Sequence, residues 1–243
     1  RKPPEFAATL THGINSAANE YLEVKWDADG LVSLFDKRFK KECLGGKGNR
    51  LQLIGEKSSS SWDYFPSGEV FPLQAVKTAE IVEKSRLQTV VRWVDRSDSS
   101  LFTREMILKA GVPQLEFRLT VDWHEHDKML KIAFPTTITE GHATYEQPYG
   151  VIERPTTGSE WPAQNWIDLS NDVFGVSLLN NGKYGHDIDG STMRLSVVRG
   201  ARDMDPRMDE AVHAFRYVLY PHVGDWRKGD TNRAAQEMNQ PLQ

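Results

Sequence analysis

The sequence has very little cysteine. Its 243 residues contain only Cys43, which excludes an internal disulfide framework. A chain without disulfides is compatible with a reducing compartment, so the cytoplasm is favoured while the compartment stays open. No secretory signal pattern is present. The sequence begins with Arg1 in a polar stretch that contains proline. We therefore expect a piece of a longer protein, and the missing signal does not locate that parent.

Blocks of positive charge and long apolar runs are missing as well. Thirty Lys and Arg residues against 34 Asp and Glu residues give a net charge of −4. Without a basic block, a nucleic-acid partner is not expected. No uncharged apolar run approaches the about 18 residues that a membrane-spanning helix needs, so no membrane partner is expected either. The low hydrophobic content of 39% is typical of a globular protein with many polar loops.

Helical periodicity is scarce, whereas alternating and β-branched segments are frequent. Short strands at such regular spacing predict an all-β fold, a large antiparallel β-sandwich. The main strand candidates are residues 19–25, 31–35, 49–54, 78–84, 87–94, 101–108, 114–123, 129–135, 173–179, 193–199 and 214–220. Residues 27–30, an Asp turn that ends in glycine, predict a hairpin between the first two.

Two stretches interrupt this pattern of strands. Residues 55–68 contain four consecutive serines followed by Trp-Asp-Tyr-Phe, which predicts a mobile loop that ends in an aromatic cluster. Residues 143–170 carry prolines at positions 148, 155 and 162. Because proline cannot donate a hydrogen bond to a strand ladder, these prolines predict strand ends or edges. A long polar and aromatic excursion of this kind is a usual place for a binding face.

One helix is expected, close to the end of the chain. Residues 231–238 are good helix formers, with Thr231 as the predicted N-cap and Pro241 beyond the helix. The predicted organisation is a linker or entering strand over residues 1–18, a β-sandwich domain over residues 19–226, and a short helix with a connection over residues 227–243.

Candidates for catalysis or metal binding are weak. His124 and His126 would share one face of a strand and could meet one ion, but spacing shows no third ligand. Carboxylate pairs for sugar hydrolysis can be named, since a retaining glycosidase needs two carboxyl groups about 5 Å apart. The pairs are Glu146 with Glu153 and Asp203 with Asp205. With 34 acidic residues, solvated surface charge is the simpler interpretation.

Aromatic residues offer a more specific signal. Sugar rings stack their C–H faces on aromatic rings, while carboxylates and arginine bind the hydroxyl groups. The candidates for such a wall are Trp62, Tyr64, Tyr145, Tyr149, Trp161 and Trp166. The competing interpretation is that these rings fill the sandwich or an interdomain seam. Arg154 could pair with an internal carboxylate such as Asp168, and His222 is most simply a hydrogen-bonded histidine at a strand end.

An ordered set of segments resembles a known family. YEQPYGVIERPT, EWPAQNWIDLS, GVSLLNNGKYGHDIDGSTMRLSVVRGA and HAFRYVLYPHVGDW follow NEYLEVKWDADGLVSLFDKR, GNRLQL and DWHEHDKMLKIAFP. Together they resemble the C-terminal β region of the family 38 α-mannosidases, in particular the bacterial and cytosolic branch. The resemblance covers residues 19–226. It implies the large supersandwich fold that is shared with galactose mutarotase.

The resemblance also implies a division of labour. In the family, the zinc ion and the aspartate nucleophile belong to an N-terminal α/β domain, and the β region closes one side of the mannose pocket. No matching His-Asp set occurs here, so the resemblance implies no catalytic residue, metal site or cofactor in this chain, with zinc in the parent protein. The implied partners are that N-terminal domain and a mannose-containing carbohydrate. The substrate-binding candidates are Trp62, Asp63, Tyr64, Arg154, Arg199 and Arg202.

Three functions stay open on the sequence. The first is a non-catalytic domain of a retaining α-mannosidase, which supports the catalytic domain and completes its pocket. The second is a stand-alone mutarotase or aldose epimerase, whose chemistry needs a histidine acid and a glutamate base across one sugar ring. The third is a carbohydrate-binding module. No segment resembles the mutarotase motifs, and the aromatic residues are the only support for the third.

Overall fold

The computed structural model describes residues 10–240 as an antiparallel β protein with one helix. Residues 1–9 of the expected linker and residues 241–243, with Pro241, lie outside the described residues. The first ten strands are β1 (Thr11–His12), β2 (Ser16–Ala18), β3 (Leu22–Trp26), β4 (Leu31–Asp36), β5 (Lys41–Glu42), β6 (Arg50–Glu56), β7 (Pro66–Phe71), β8 (Gln74–Lys84), β9 (Gln88–Arg96) and β10 (Leu101–Lys109). The remaining elements are β11 (Leu115–Trp123), β12 (Lys128–Pro135), β13 (His142–Gln147), β14 (Gly150–Arg154), β15 (Trp161–Pro162), β16 (Trp166–Ser170), β17 (Phe174–Asn180), β18 (Gly185–Asp189), β19 (Thr192–Arg199), β20 (Ala211–Val223) and α1 (Thr231–Asn239).

These strands form three antiparallel sheets. A nine-stranded sheet has the order β14-β13-β16-β17-β20-β11-β10-β9-β8. A six-stranded sheet has the order β15-β18-β19-β12-β6-β7, and a five-stranded sheet runs from β1 to β5 in chain order. The predicted large antiparallel β-sandwich with a short C-terminal helix is confirmed.

The core lies between the inner face of the nine-stranded sheet and the two smaller sheets. Phe117 of β11 meets Phe134 of β12 with ring centroids 5.3 Å apart, and it stacks on Tyr217 of β20 at 5.2 Å. An isolated bridge between Leu31 of β4 and Gly48 connects the five-stranded sheet with the segment just before β6. Alternation along each strand explains this core, because every second side chain of a strand points to the same face.

Several local predictions are confirmed. The turn after β3 closes as expected, since Asp27 Oδ1 accepts hydrogen bonds from the backbone N–H groups of Asp29 and Gly30. Two of the prolines in residues 143–170 lie at a strand end or edge, as predicted, where the missing N–H does not interrupt strand pairing. Pro148 occupies the turn between β13 and β14, and Pro162 lies in β15, an edge strand of the six-stranded sheet.

Two local predictions are wrong. The loop predicted over residues 55–68 is shorter, because β6 continues to Glu56 and β7 begins at Pro66. Thr231 is the first residue of α1 rather than its N-cap, and its buried hydroxyl lies 2.8 Å from Ser177 Oγ. Asp230 occupies the cap position in a left-handed conformation, and its side chain makes no capping hydrogen bond.

Helix α1 covers part of the outer face of the nine-stranded sheet. A second hydrophobic cluster joins its Ala235 and Met238 to Trp166 of β16, Leu179 of β17 and Val218 of β20. Within residues 10–240, no helix is long and apolar enough to cross a membrane.

We predict that Phe117→Ala lowers the free energy of unfolding by about 3 to 5 kcal/mol, because it removes a fully buried ring from the centre of the core. Urea unfolding followed by tryptophan fluorescence measures this change. Val223→Ala, at an exposed position, is the control and should change stability by less than about 0.5 kcal/mol. Equal effects of the two substitutions would contradict the assignment of Phe117 to the core.

One buried histidine makes stability depend on pH. His186 of β18 is fully buried, with Nδ1 3.2 Å from the carbonyl oxygen of Tyr184 and Nε2 3.2 Å from Asn180 Nδ2. These partners fit a neutral ring that donates through Nδ1 and accepts at Nε2. Burial lowers the pKa of His186 from 6.5 to about 4.

The folded protein should therefore lose stability as the pH falls from 6.5 towards 4, because only the unfolded chain takes up a proton on His186 in that window. The loss attributable to this group reaches up to about 3 kcal/mol. Unfolding free energies at pH 7, 5.5 and 4.5 would measure it. His186→Gln should flatten the dependence, whereas His142→Gln, at an exposed histidine, should not. Parallel curves for the wild type and His186→Gln would contradict the prediction.

Candidate functional site

The outer face of the six-stranded sheet carries charged side chains that are buried, although an outer face would normally expose its polar residues to solvent. On β12, Leu130, Ile132 and Phe134 belong to the core, so Lys131 between them points to the opposite face. Lys131 is nevertheless only 3% exposed, and Asp187 on β18 is completely buried. Buried ions are costly unless they are paired, so this face must supply partners.

Lys131 finds those partners on neighbouring segments. Its Nζ donates to Asp187 Oδ2 at 2.6 Å and to Glu160. Arg194 of β19 donates through Nε to the other oxygen of Asp187, also at 2.6 Å. Burial raises the pKa of the Asp187 carboxyl, although Lys131 and Arg194 both favour its charged form. The result is a compact cluster of alternating charges across β12, β18 and β19.

Tyr64 lies over this cluster. Lys131 Nζ is 5.2 Å from the centroid of its ring, and Arg199 Cζ is 5.6 Å from it. Cations at such distances are attracted to the face of an aromatic ring. Burial raises the pKa of Tyr64, and the carboxylates of Glu160 and Glu56 raise it further. Tyr64 is therefore a neutral phenol that can donate a hydrogen bond at any physiological pH.

Arg199, at the end of β19, fixes the segment that carries Tyr64. Its guanidinium binds both carboxylate oxygens of Glu56, with Nε 2.7 Å from Oε1. Its Nη2 also donates to the carbonyl oxygens of Ser60 and Asp63, each at 2.6 Å. One side chain thus connects two sheet strands with the loop of residues 57–65, which we call the serine loop.

A second set of contacts holds the other half of the serine loop. Ser59 Oγ donates to Asp127 Oδ1 at 2.6 Å, and Arg202 pairs with the same carboxylate. The backbone N–H of Ser61 donates to Asp203 Oδ1 at 2.7 Å. Two of the four serines in the loop that was predicted to be mobile are therefore hydrogen-bonded to carboxylates outside it.

The structure brings five of the six predicted binding residues to this place. Trp62, Asp63 and Tyr64 follow one another in the serine loop, while Arg199 and Arg202 hold its two halves. Trp62 is 81% exposed. The serine loop therefore presents the large ring of Trp62 to the surroundings, next to Asp63 in the chain and two residues before Tyr64, which lies over the charge cluster.

Arg154, the sixth predicted residue, lies on β14 at the edge of the nine-stranded sheet. Its guanidinium stacks on Trp161, with Cζ 4.3 Å from the ring centroid. The pairing expected with Asp168 is not formed, because Asp168 hydrogen-bonds His222, Ser177 and Ser170 instead. Arg154 therefore belongs to a different sheet from the serine loop.

The remaining aromatic candidates do not form one wall. Tyr145 and Trp166 are buried, on the inner and outer faces of the nine-stranded sheet. Tyr149 is fully exposed at the tip of the β13–β14 hairpin. The interpretation of these rings as filling residues holds for the first two, and only Trp62 and Tyr64 share a surface.

The predicted histidine and carboxylate pairs also separate. Nε2 of His124 lies 2.8 Å from Asp122, whereas Nε2 of His126 lies 2.8 Å from Glu210. Strand β11 ends at Trp123, so the two imidazoles do not share a strand face. In residues 10–240 no three His, Cys, Asp or Glu side chains are grouped closely enough to hold a metal ion.

Both carboxylate pairs have structural partners. Glu146 accepts a hydrogen bond from the backbone N–H of Asn165 at 2.6 Å. Glu153 lies 3.4 Å from His142 on the surface. Asp203 holds the serine loop, and Asp205 accepts from the backbone N–H of Arg207 at 2.9 Å. These contacts agree with the interpretation of surface and structural charge.

A buried Ser-His-Asp set lies below α1, but its geometry is not that of a nucleophilic triad. Asp168 Oδ2 and Ser177 Oγ are 2.7 and 3.1 Å from the same atom, Nε2 of His222. A triad needs the serine and the carboxylate on opposite ring nitrogens. All three residues are buried, and Thr231 closes the set from the helix. We assign it the role of docking α1 onto the sheet.

Sequence reasoning missed the charge cluster itself. Lys131 in MLKIAFP was visible as a single charge in an apolar segment, whereas Asp187 in HDID had no such signal. A lone charge in the middle of an apolar strand is a signal of a buried pair. Its partners are 29 and 56 residues away, so spacing could not identify them.

Comparison with known proteins adds the family. The family model described as "Glycosyl hydrolases family 38 C-terminal domain" matches residues 17–207. Similar curated proteins are Alpha-mannosidase 2C1 of Mus musculus, 39% identical, and of Homo sapiens, 32% identical, each matched over 98% of this chain. The chain spans 25% of the length of either relative.

A solved structure has the same fold. The crystal structure of an alpha-mannosidase from Enterococcus faecalis V583 superposes with a TM-score of 0.84 at 17% sequence identity, covering 97% of this chain and 32% of that one. At this identity the likeness supports the fold alone. The family model, in contrast, covers well over half of the sequence. The chain therefore belongs to the C-terminal domain family of the family 38 glycosyl hydrolases.

Proposed function

We propose that this chain is the β-sandwich domain of a retaining α-mannosidase, an enzyme that hydrolyses terminal α-mannosides. Support comes from the curated relatives, which carry the name alpha-mannosidase and match 98% of this chain with about a quarter of their own length. The remaining three quarters of such a protein would supply the hydrolytic chemistry.

The described residues fit a supporting role better than a catalytic one. Zinc in a catalytic site needs three protein ligands, and residues 10–240 offer no group of three suitable side chains. The carboxylates named as candidates already hold backbone or side-chain donors. No step of hydrolysis is therefore assigned to this chain, and zinc is proposed for the catalytic domain of the parent protein.

The serine loop is the part of the surface that we assign to the sugar pocket. The single observation that carries this assignment is the exposure of Trp62, at 81%, on a loop whose backbone is hydrogen-bonded to Arg199 and Asp203. An exposed aromatic ring held in one position is suited to stack on the C–H face of a sugar. Asp63 beside it can accept hydrogen bonds from sugar hydroxyls.

The charge cluster would act by keeping this wall in position. A misplacement of about 1 Å in a pocket can cost a large part of the rate, so residues that lock the loop matter even without touching substrate. Arg199 and Tyr64 are the positioning residues in this proposal, since Arg199 binds the loop backbone and Tyr64 lies over the cluster.

We predict that Trp62→Ala in the full-length enzyme lowers kcat/KM for an aryl α-mannoside about tenfold, because a stacking contact of this size is worth about 1 to 1.5 kcal/mol. Steady-state kinetics measure the loss. Tyr149→Asn, at a fully exposed aromatic residue in the β13–β14 turn of the nine-stranded sheet, is the control and should leave kcat/KM unchanged. A kcat/KM of the Trp62→Ala enzyme within twofold of the wild-type value would show that the serine loop is not part of the sugar pocket.

We also predict that the 243-residue chain alone releases no mannose from an aryl α-mannoside, because it would lack metal and nucleophile. Turnover that persists after repurification and treatment with a chelator would refute the division of labour.

Polarimetry on freshly dissolved galactose tests the mutarotase alternative, for which an accelerated approach to equilibrium is required. Titration with mannose and mannobiose, followed by tryptophan fluorescence, tests the binding-module alternative.

A further inference from the structure

The outer face of the nine-stranded sheet is only partly covered. Helix α1 packs over β16, β17 and Val218 of β20. Beyond the helix, the face formed by β9, β10, β11 and β20 holds a cavity of about 440 Å³. That volume is within the range of pockets that hold small molecules, about 300 to 1,000 Å³. We call this cavity the arginine groove.

The strand register defines the floor of the arginine groove. Thr103 of β10 lies opposite Thr120 of β11, and Thr120 lies opposite Ala214 of β20. These three residues line the cavity and share one row across the sheet. Because their side chains are short, the row is lower than its neighbours, and it offers two hydroxyl groups at its base.

The wall of the groove is the adjacent row, and it is charged. Arg92 faces Glu105, Glu105 faces Arg118, and Arg118 faces Arg216 across four neighbouring strands. Arg92 uses Nε and Nη2 to bind Oε1 of Glu105, at 2.9 and 2.6 Å. The row therefore ends with two arginines directly opposite each other, an arrangement that costs stability unless an anion lies between them.

The neighbouring carboxylate of Glu116 is shared between this pair of arginines and Lys109, and all three cations favour its charged form. Glu116 accepts from Arg118 Nε at 3.2 Å, but it also holds Lys109 at 2.6 Å. Arg216 donates only to a neutral group, the carbonyl oxygen of Met238, and its buried Nε has no partner among the described residues. With Glu80 of β8 opposite Arg92, four cations stand against three carboxylates, in a protein whose net charge is −4. The charge around the groove is therefore more positive than that of the chain as a whole.

We propose that the arginine groove binds a small anionic ligand, a phosphate or carboxylate group attached to a hydroxyl-bearing body such as a sugar ring. The anion would lie between Arg118 and Arg216, because guanidinium groups bind such oxygens in a forked geometry. Thr103 and Thr120 would hydrogen-bond the hydroxyl groups of the body. The groove lies on the sheet opposite the serine loop, so this binding does not depend on mannoside hydrolysis.

Isothermal titration of the purified protein at low salt tests the proposal, with mannose 6-phosphate, glucuronate and inorganic phosphate as anionic probes and mannose as the neutral probe. We expect millimolar or tighter binding of mannose 6-phosphate or glucuronate, the tighter one identifying the anionic group. Affinity should fall as the salt concentration rises from about 0.05 to 0.3 M, because salt screens the attraction between the arginines and the anion. For a single bound anion we expect a decrease on the order of tenfold or less. Mannose alone should bind at least tenfold more weakly.

Two substitutions and a control locate the binding. Arg118→Gln should weaken it at least tenfold, and Ala214→Glu should do the same by placing a carboxylate on the floor. Arg86→Gln removes the same charge from an exposed turn and should change affinity by less than twofold. Circular dichroism would confirm that each variant is folded. If Arg118→Gln does not fold, Ala214→Glu decides the test.

Four outcomes would overturn the proposal. The first is the absence of a heat signal from every anionic probe at about 20 mM, since binding too weak to detect there is weaker than the millimolar affinity expected. The second is unchanged binding by both groove variants. The third is equal affinity for inorganic phosphate and for mannose 6-phosphate, which removes the role of the hydroxyl groups. The fourth is self-association that Arg118→Gln abolishes, which makes a second copy of the chain the occupant.

Discussion

Lys131 places an ammonium group in the middle of β12, with the core on one side of the strand and a covered face on the other. Removing such a charge from water costs several kcal/mol, and this cost is offset only when partners surround the ion. Asp187 and Glu160 are those partners, and Arg194 completes the coordination of Asp187. The folded chain must therefore bring β12, β18, β19 and the segment before β15 together in one register.

This constraint extends to the surface through Tyr64 and Arg199. The ring of Tyr64 lies over Lys131 of the cluster, and Arg199 connects Glu56 with the backbone of the serine loop. Buried pairs of this kind contribute little net stability compared with apolar residues, but they specify one arrangement. A binding wall requires such specificity, because its side chains must keep their places without support from the substrate.

The sequence was sufficient to predict the elements and insufficient to predict their partners. The alternation of apolar and polar residues identified β9 to β12, and turn residues identified the hairpin around Asp27. Both signals lie in consecutive residues, so they can be read from the sequence. The N-cap at Thr231 failed because a tertiary contact with Ser177 took that hydroxyl. Five of the six residues predicted to bind sugar lie together, because three are consecutive and the two arginines bond to the loop or to a residue that holds it. Arg154 does not, as local sequence cannot show which sheet a strand joins.

Both outer faces of the sandwich hide polar groups, which explains a composition that is unusually polar for a protein with so large a core. On the six-stranded sheet, Lys131 and Asp187 occupy positions that alternation alone would give to solvent. On the nine-stranded sheet, Asp168, Ser177 and His222 are buried below α1. A hydrophobic fraction of 39% is therefore compatible with two covered faces. Other parts of the surface stay open, including β7 and β8. Among these open parts, the regions around Trp62 and over the arginine groove also combine aromatic or short side chains with convergent polar groups, and this combination is why we propose ligand binding there.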